Sequence, residues 1–506
     1  MGRILTNNTA LAAAAETSVG VAGTSWFLLE PNDIGTFGAS LSTVAREPIS
    51  KDRARRKGTI VDLESAVEFE ADLTMSSAFD FSEAFLFATA SQADLRFAAP
   101  DATGTGFTVA ALDATQAGKL QFAATGLASL LKARGFALAA NNGLKALGGA
   151  ATALDTELTV SGLSAETAPA KALLELAGVR CESDDLALTV TGTTAVLTSG
   201  GGAGAAVDFS ALGLMAGQMI HVGGLTSATQ FAAGAGYARV TAVAAGQLSL
   251  DKLDAALVTD AGTGQAVDLL FGQFLRNVST DHADFLERSY TFELAMPNLD
   301  SGGATMYEYA LGNYANELTF NVPLAEKATM SFGFIGTDTN VPVAAGSRKS
   351  GAADAPVPNA TEAVNTSADV LRLRVADVDD NAMTSCFKDF SLTLNNNVSP
   401  EKCIGTLGAE FMNTGNFMVD LEAEVLFTDA DVADAIRNNT TVTMDLVLRN
   451  NDGAIALDIP SMTLGDGAKS FPVNESVTMA LSGMAFNDPT LGNSLGMSTF
   501  PAAPAA

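Results

Sequence analysis

Acidic side chains spaced two residues apart are the most unusual chemical feature of this sequence. In an extended strand, residues two apart share a face, so two segments each predict a row of three carboxylates backed by an apolar row. The rows are Glu68, Glu70 and Asp72, and Asp420, Glu422 and Glu424. A wall of such rows would repel phosphate groups and line a water-filled channel. The alternative is an ordinary solvated strand face.

A basic run precedes the first acidic row. Pro48 and Gly58 bracket most of it, which favours a loop over a helix. In so acidic a chain we expect the run to pair with carboxylates of a neighbouring subunit, although a solvated loop or a nucleic-acid patch is the alternative. The predicted inter-subunit or inter-ring residues are Arg46, Lys51, Arg53, Arg55, Arg56 and Lys57.

Residues that could support catalysis or bind a metal are few. The sequence contains no nucleotide-binding glycine loop and no nucleophile elbow. Its histidines and cysteines show neither metal-ligand spacing nor a disulfide pattern: His221, His282, Cys181, Cys386 and Cys403. We therefore predict a protein that is not an enzyme, with no catalytic residues, no metal site and no cofactor.

Composition points to self-association. A chain of 506 residues predicts two to four domains, and a charged fraction of 17% is low for a soluble enzyme. Low charge is typical of a surface that is buried against copies of itself. The net charge of −29 argues against gripping nucleic acid, because that affinity comes from Lys and Arg. It suits a protein that lets nucleic acid pass, and it also suits an ordinary acidic soluble protein.

Two long uncharged stretches, 186–207 and 209–238, could suggest membrane spans. Gly, Thr, Ser and Gln interrupt both, so they predict β-structure with turns and no transmembrane helix. The N-terminus lacks the apolar core of a signal peptide.

An internal repeat contains the acidic rows. Val67–Ala88 and Val419–Asn439 each predict an alternating strand followed by an acidic helix start. We interpret the repeat as a duplicated β-rich unit with one helix, interrupted in its first copy. Three further pairs of strands support it: Arg288–Leu294 with Thr440–Leu446, Ala328–Phe334 with Ser476–Ser482, and, more loosely, Ser25–Leu29 with Phe390–Leu394.

The predicted fold class is mainly β, with a duplicated β-sandwich or barrel unit, one helix per unit and inserted small β modules. We expect the insert, residues 91–280, to be dispensable for assembly, because the second copy lacks it. The predicted segments are a flexible arm at 1–19, a first unit at 20–90 plus 281–340, inserted modules at 91–200 and 201–280, a linker at 341–380, a second unit at 381–495 and a flexible tail at 496–506.

The order of several stretches resembles the major tail tube protein of long, non-contractile-tailed, siphovirus-type phages. The resemblance covers about residues 20–90 and 285–490. It is carried by SWFLLEP, AREPISKDRARRKG, GTIVDLESAVEFEADLTMSSAFDFSEAFLFA, LGNYANELTFNVPLAEKATMSFGFIGTD, FSLTLNNNVSPEKCIGTLGAEFMNTGNFMVDLEAEVLFTDADVADAIRNNT and IPSMTLGDGAKSFPVNESVTMALSGMAF.

This resemblance implies a structural virion protein whose β-sandwiches contribute strands to a continuous barrel in each ring. It further implies long loops that reach the adjacent ring and a negatively charged channel for DNA in transit without specific binding. The implied partners are other copies of the chain and the tape-measure, tail-terminator and tail-tip proteins, with no membrane. The implied location is the virion tail, after assembly in the host cytoplasm.

Duplication predicts a ring of three chains with pseudo-sixfold symmetry. With about four strands per unit, the ring would hold about 24 strands and measure about 48 Å across its backbone. Side chains would narrow the opening to roughly 35–40 Å, which admits a DNA duplex. The alternative function is a bacterial surface-layer or other extracellular β-rich structural protein, since those are also acidic and poor in cysteine.

Overall fold

The chain is described by a computed structural model covering residues 4–504, except for 50, 52, 125, 201, 203–204, 300–303, 359, 385 and 429. The fold is mainly β, as predicted. The segment before the insert consists of Ala10–Ser18 (β1), Val21–Leu29 (β2), Pro31–Arg46 (β3), Arg56–Asp72 (β4), Ser77–Asp80 (α1) and Ser82–Leu86 (α2). None of the helices in the described ranges is long and apolar enough to cross a membrane.

The insert is also built mainly from strands. Its elements are Arg96–Ala98 (β5), Gly106–Thr108 (β6), Ala114–Lys119 (α3), Ala128–Arg134 (β7), Gly143–Ala146 (β8), Glu157–Thr159 (β9), Leu173–Cys181 (β10), Leu186–Thr191 (β11), Thr194–Ser199 (β12), Met219–Val222 (β13), Gly236–Ala244 (β14), Gln247–Asp251 (β15), Val267–Leu270 (β16) and Phe274–Arg276 (β17).

The remaining elements follow the insert. They are Ser289–Met296 (β18), Met306–Asn321 (β19), Thr329–Gly336 (β20), Asp338–Ala344 (β21), Val370–Asp377 (β22), Ala382–Thr384 (β23), Phe387–Asn395 (β24), Ser399–Glu401 (β25), Phe411–Asn413 (β26), Met418–Leu426 (β27), Asp431–Asn438 (α4), Thr441–Asn450 (β28), Gly453–Ser470 (β29), Thr478–Ala485 (β30) and Gly496–Phe500 (β31).

Strand pairing repeats itself along the chain. One antiparallel series runs β3–β4–β20–β19–β18–β1–β2, and we call it the first unit. The second unit runs β24–β27–β30–β29–β28–β22–β23 in the same order. In each unit helical segments follow the second strand of the series, α1 and α2 after β4 and α4 after β27. The structure therefore supports the duplication.

Two long strands in this repeat, β19 and β29, allow each unit to form two layers. The first half of β19 pairs with β18 and its second half pairs with β20, and β29 is divided in the same way. Aromatic residues fill the space between the layers of the first unit. Phe69 on β4 stacks on Phe332 at 4.8 Å, and Phe334 on β20 meets Phe292 on β18 at 4.8 Å. We call the layer containing β4 and β27 the inner layer.

The inner layers of the two units form one sheet. The end of β19 pairs with β24, with Leu318 opposite Leu394 and Phe320 opposite Leu392. The inner layer thus runs β3–β4–β20–β19–β24–β27–β30–β29. Its apolar face is buried in a core shared by both units.

Strands of both predicted inserted modules, 91–200 and 201–280, lie in one sheet. Its order is β8–β7–β10–β16–β13–β14–β15–β12–β11, and β5 also pairs with β10. The sheet has a separate apolar core. Because β10 and β16 pair directly, residue 200 does not divide the insert into two separate sheets.

Several segment predictions need correction. The predicted arm, 1–19, contains β1, where Leu11–Ala14 are buried against β2 and β18. The predicted tail, 496–506, contains the buried strand β31, and the predicted linker, 341–380, contains β22. Residues 1–3 and 505–506 lie outside the described residues. These strands gain their stability from distant partners, which local sequence does not reveal.

Candidate functional site

The six predicted acidic residues lie on two inner-layer strands. Glu68, Glu70 and Asp72 lie on β4, where they are exposed or half-buried. The intervening Phe69 and Ala71 are buried in the core. On β27 the carboxylates of Asp420, Glu422 and Glu424 are likewise exposed or half-buried, while Val419 and Leu421 are buried. On both strands the alternation of side chains therefore places the carboxylates on the side opposite the apolar core, as the sequence predicted.

Strand register brings the two acidic rows to the same face of the sheet. Residues directly opposite one another across a ladder point to the same side. Starting at β4, consecutive direct partners are Glu70, Ser331, Thr319, Thr393 and Asp420. We call this side of the inner layer the acidic face.

The next row across the acidic face has the same polar character. It runs through Asp72, Thr329, Asn321, Ser391 and Glu422. Hydroxyl and amide groups therefore fill the space between the two acidic rows. Such a surface can bind water throughout but offers few cations to a phosphate.

In the acidic strands β4 and β27, the structural register of the repeat differs from the sequence alignment by two residues. Met330 and Met479 occupy equivalent places in β20 and β30, and they lie opposite Ala71 and Val425. Glu68 and Glu70 therefore correspond to Glu422 and Glu424. The outer members of the rows, Asp72 and Asp420, have Leu426 and Ala66 as counterparts. A shift of two residues leaves each side chain on the same side of the sheet, so both acidic rows still lie on the acidic face.

Three further carboxylates, missed from the sequence, lie on the acidic face. Asp33 lies directly opposite Glu70, and Asp389 lies directly opposite Glu424, at equivalent places in the two units. Glu317 lies on β19 between the two rows. Like charges directly opposite one another destabilise a sheet, yet both units contain such a pair. The alternation of polar and apolar residues over Glu317–Asn321 is the one sequence signal that could have assigned Glu317 to this face.

Cations make few contacts with these rows. Lys327 lies 2.6 Å from Asp72, and Thr36 donates a 3.0 Å hydrogen bond to Glu68. Within the described ranges, no Lys or Arg lies within 4.0 Å of the other five predicted carboxylates. The face is therefore acidic in net character and open to water and counter-ions.

Most of the basic run lies in the loop that connects the two strands of a long hairpin, in agreement with the predicted loop. Arg46 ends β3, Arg56 and Lys57 begin β4, and Arg46 and Arg56 lie opposite one another. The connecting residues Lys51, Arg53 and Arg55 are exposed. Within the hairpin, Arg55 pairs with the exposed Glu47 at 2.7 Å.

The hairpin also exposes apolar side chains. About half the surface of Leu41, Val44, Ile60 and Val61 is accessible. A two-stranded hairpin exposed on both faces is marginally stable by itself. Lys402 from the second unit supports it through an ion pair with Asp62 at 2.7 Å.

One carboxylate away from the acidic face has a strongly shifted pKa. Asp80 lies in a cavity of about 400 Å³ between the first unit and the insert, near Arg96. Burial raises the pKa of Asp80 to about 7, against the attraction of Arg96. Protonation of Asp80 therefore stabilises the fold at low pH, and this contribution is lost as pH rises from about 4 to 7.

Replacing Asp80 by Asn should therefore stabilise the protein at high pH. We expect the free energy of unfolding to increase by about 1–3 kcal/mol at pH 8 and to change little at pH 4. Urea unfolding at both pH values measures this difference. An equal effect at both would contradict the assigned cause.

The described residues contain no group of three or more His, Cys, Asp or Glu side chains that could hold a metal ion. Cys181 is buried, whereas Cys386 and Cys403 are exposed and unpaired. The acidic face therefore remains the candidate functional surface.

Comparison with protein-family models gives a match over residues 6–485, to the family described as phage tail tube protein. A search of curated proteins gives no significant match. The family match spans both units and the insert, and it points to a structural component of the virion tail. On this evidence the chain belongs to the phage tail tube protein family.

Proposed function

We propose that three copies of this chain form a ring, that rings stack into the tube of a long, non-contractile phage tail, and that the acidic face lines its channel. DNA would pass along this wall without being held. The observation that carries the proposal is the continuity of the acidic face across both units. In this tube the first and second units form the channel wall, and the insert lies outside it.

Both edges of the inner layer are available for pairing with another copy. Among the described residues, β3 has a ladder with β4 alone. Beyond residue 463, β29 has a ladder with β30 alone. Unpaired strand edges are templates for pairing with another chain.

The junction between β19 and β24 provides a template for the contact between chains. In that junction, residues 317–321 pair antiparallel with residues 391–395. Equivalent ladder positions are 465–470 on β29, which includes a one-residue bulge, and 36–40 on β3. We therefore expect 465–470 of one chain to pair with 36–40 of the next, with Ser470 opposite Thr36.

Side-chain burial supports the same contact. At the internal junction Phe390 and Leu392 are buried, whereas their counterparts Ile34 and Phe37 are only partly buried. Val322, which follows β19, is 7% exposed, but its counterpart Phe471, which follows β29, is 73% exposed. The free edges thus expose apolar groups where the internal junction buries them.

Strand number supports a ring of three. The inner layer contributes eight strands per chain, four from each unit. Three chains would supply about 24 strands, which corresponds to a barrel about 48 Å across.

The basic hairpin is proposed to contact the next ring. Its cationic end and exposed apolar sides suit an acidic neighbour with apolar contacts, such as another copy of this chain. The ends of the tube would bind the tape-measure, tail-terminator and tail-tip proteins, after assembly in the host cytoplasm. The family match favours this function over a surface-layer protein.

A disulfide placed across the expected contact tests the ring. Thr36→Cys and Ser470→Cys in one chain, with Cys386→Ser and Cys403→Ser as background, should cross-link neighbouring copies under mild oxidation. Their counterparts Ser391 and Asn321 form a 3.2 Å hydrogen bond, so the side chains are close enough to join. Non-reducing electrophoresis should show covalent species up to three chains.

A second cysteine pair controls for random collision. Ser40→Cys with Ser470→Cys lies out of register and should cross-link poorly. Equal cross-linking by both pairs would refute the register, and covalent species of six chains would refute the ring of three.

A further inference from the structure

The insert leaves the first unit and returns to it, yet its base is held by the second unit. Its last strand, β17, pairs with β31, which in turn pairs with β29. The carboxamide oxygen of Asn277 accepts hydrogen bonds from the backbone amides of Ser494 and Leu495 at 2.9 and 3.0 Å. The exit of the insert is therefore hydrogen-bonded to the C-terminal segment.

An apolar contact lies beside this base. Met219 and Tyr237 of the insert pack with Val447 and Ala456 of the second unit and with Phe500 of β31, and all five are buried. The ring of Tyr237 meets that of Phe500 edge-to-face at 5.1 Å. A buried contact of this kind stabilises the position of the insert against β28, β29 and β31.

Buried charges connect the insert to β29. Arg239 and Lys252 of the insert lie 2.9 and 2.6 Å from the carboxylate of Asp458. All three residues are less than 9% exposed. Burial acts to raise the pKa of Asp458, but the two cations hold that pKa below its ordinary value.

The charge network continues to β28 and β22. Arg374 contacts Asp445 at 3.0 Å, and Lys252 approaches the same carboxylate at 3.8 Å. Arg372 contacts both Asp445 and, at 3.1 Å, Asp254 of the insert. Removing one partner from such a buried network leaves an uncompensated charge.

The first unit carries a comparable contact at the equivalent place. Glu293 on β18 is the counterpart of Asp445 on β28. Its buried carboxylate pairs with Arg348, which belongs to the segment between the two units. The insert therefore covers on the second unit a position that the connecting segment covers on the first.

We propose that the insert is a clamp that fixes the angle between the two units, and thereby the curvature of the ring. The hydrogen-bonded ladder between the inner layers comprises five residue pairs of β19 and β24, beside the core that both units share. The insert adds a second connection, because it is joined covalently to the first unit and docked on the second. The clamp rests on the proposed function, and it predicts that the insert is not dispensable.

Arg239→Gln with Lys252→Gln tests the clamp in the full-length chain. The insert should stay folded because its own core is unchanged. Hydrogen exchange of the amides in β17 and β31 should accelerate roughly 100-fold or more as docking weakens. Electron microscopy of the same protein should show open arcs or rings of variable chain number.

Arg180→Gln is the matched control, because it removes an ion pair with the buried Asp268 inside the insert. It should leave both the β17–β31 exchange and the rings unchanged. In the Arg239→Gln, Lys252→Gln double variant, faster exchange with normal rings would overturn the clamp. Unchanged exchange in the same variant would also overturn it. Failure of the unmodified chain to form rings would instead overturn the proposed function.

Discussion

Phe471→Asp is expected to abolish ring formation and leave the chain folded. Phe471 is 73% exposed in the single chain, so the substitution should change the free energy of unfolding by less than about 0.5 kcal/mol. In the ring we expect this side chain to be buried like its counterpart Val322, which is 7% exposed. Burying an unpaired carboxylate there would cost several kcal/mol per contact, roughly a hundredfold or more in the association constant.

Val473 provides the matched control for Phe471. It lies two residues further along and is 86% exposed. Its counterpart Leu324 remains 67% exposed at the internal junction, so Val473 should stay exposed in the ring. Val473→Asp should therefore assemble normally. Sedimentation of both variants measures this difference, and equal assembly would refute the proposed contact.

Reversing the charge of the acidic face should convert the channel wall into a DNA-binding surface. Glu68→Lys, Glu70→Lys, Glu422→Lys and Glu424→Lys change the two carboxylates that occupy equivalent places in each unit. These side chains are exposed or half-buried, so folding should persist. Each phosphate neutralised should contribute about −0.9 to the slope of log affinity against log salt.

Binding of a short DNA duplex to assembled tubes, titrated with salt, measures this effect. The unmodified tube should bind weakly at every salt concentration, whereas the reversed tube should bind tightly at low salt and release DNA as salt rises. A control tube carries four reversals on exposed acids of the insert: Asp101, Glu157, Asp184 and Asp208. Equal binding by the two altered tubes would show that the acidic face does not meet DNA in the channel.

Local alternation was sufficient to predict the acidic rows. Each carboxylate sits between apolar neighbours such as Phe69 and Leu421, and burying the apolar set fixes the side on which the acids lie. The alignment of Arg288–Leu294 with Thr440–Leu446 was also confirmed, because Ser289 and Thr441 lie opposite equivalent residues of β19 and β29.

Other alignments failed because one-dimensional similarity does not fix register. Ser25–Leu29 was aligned with Phe390–Leu394, but β3, not β2, is the counterpart of β24. Ala328–Phe334 was displaced by one residue against β30. Bulges in these ladders shift the pairing without leaving a clear sequence signal.

Contacts between distant segments could not be predicted at all. β1 consists largely of alanine, and its burial depends on β18, nearly three hundred residues away. The docking of the insert depends on charges at Arg239, Lys252 and Asp458, which are unremarkable in sequence and meaningful only once folding brings them together.

Electron cryo-microscopy of the assembled tube tests the central claim most directly. We predict three chains per ring, with β29 of each chain paired to β3 of the next. The carboxylates of Glu68, Glu70, Glu422 and Glu424 should lie on the channel wall and the insert on the outside. Carboxylates found on the outer surface, or buried between the layers, would contradict the account.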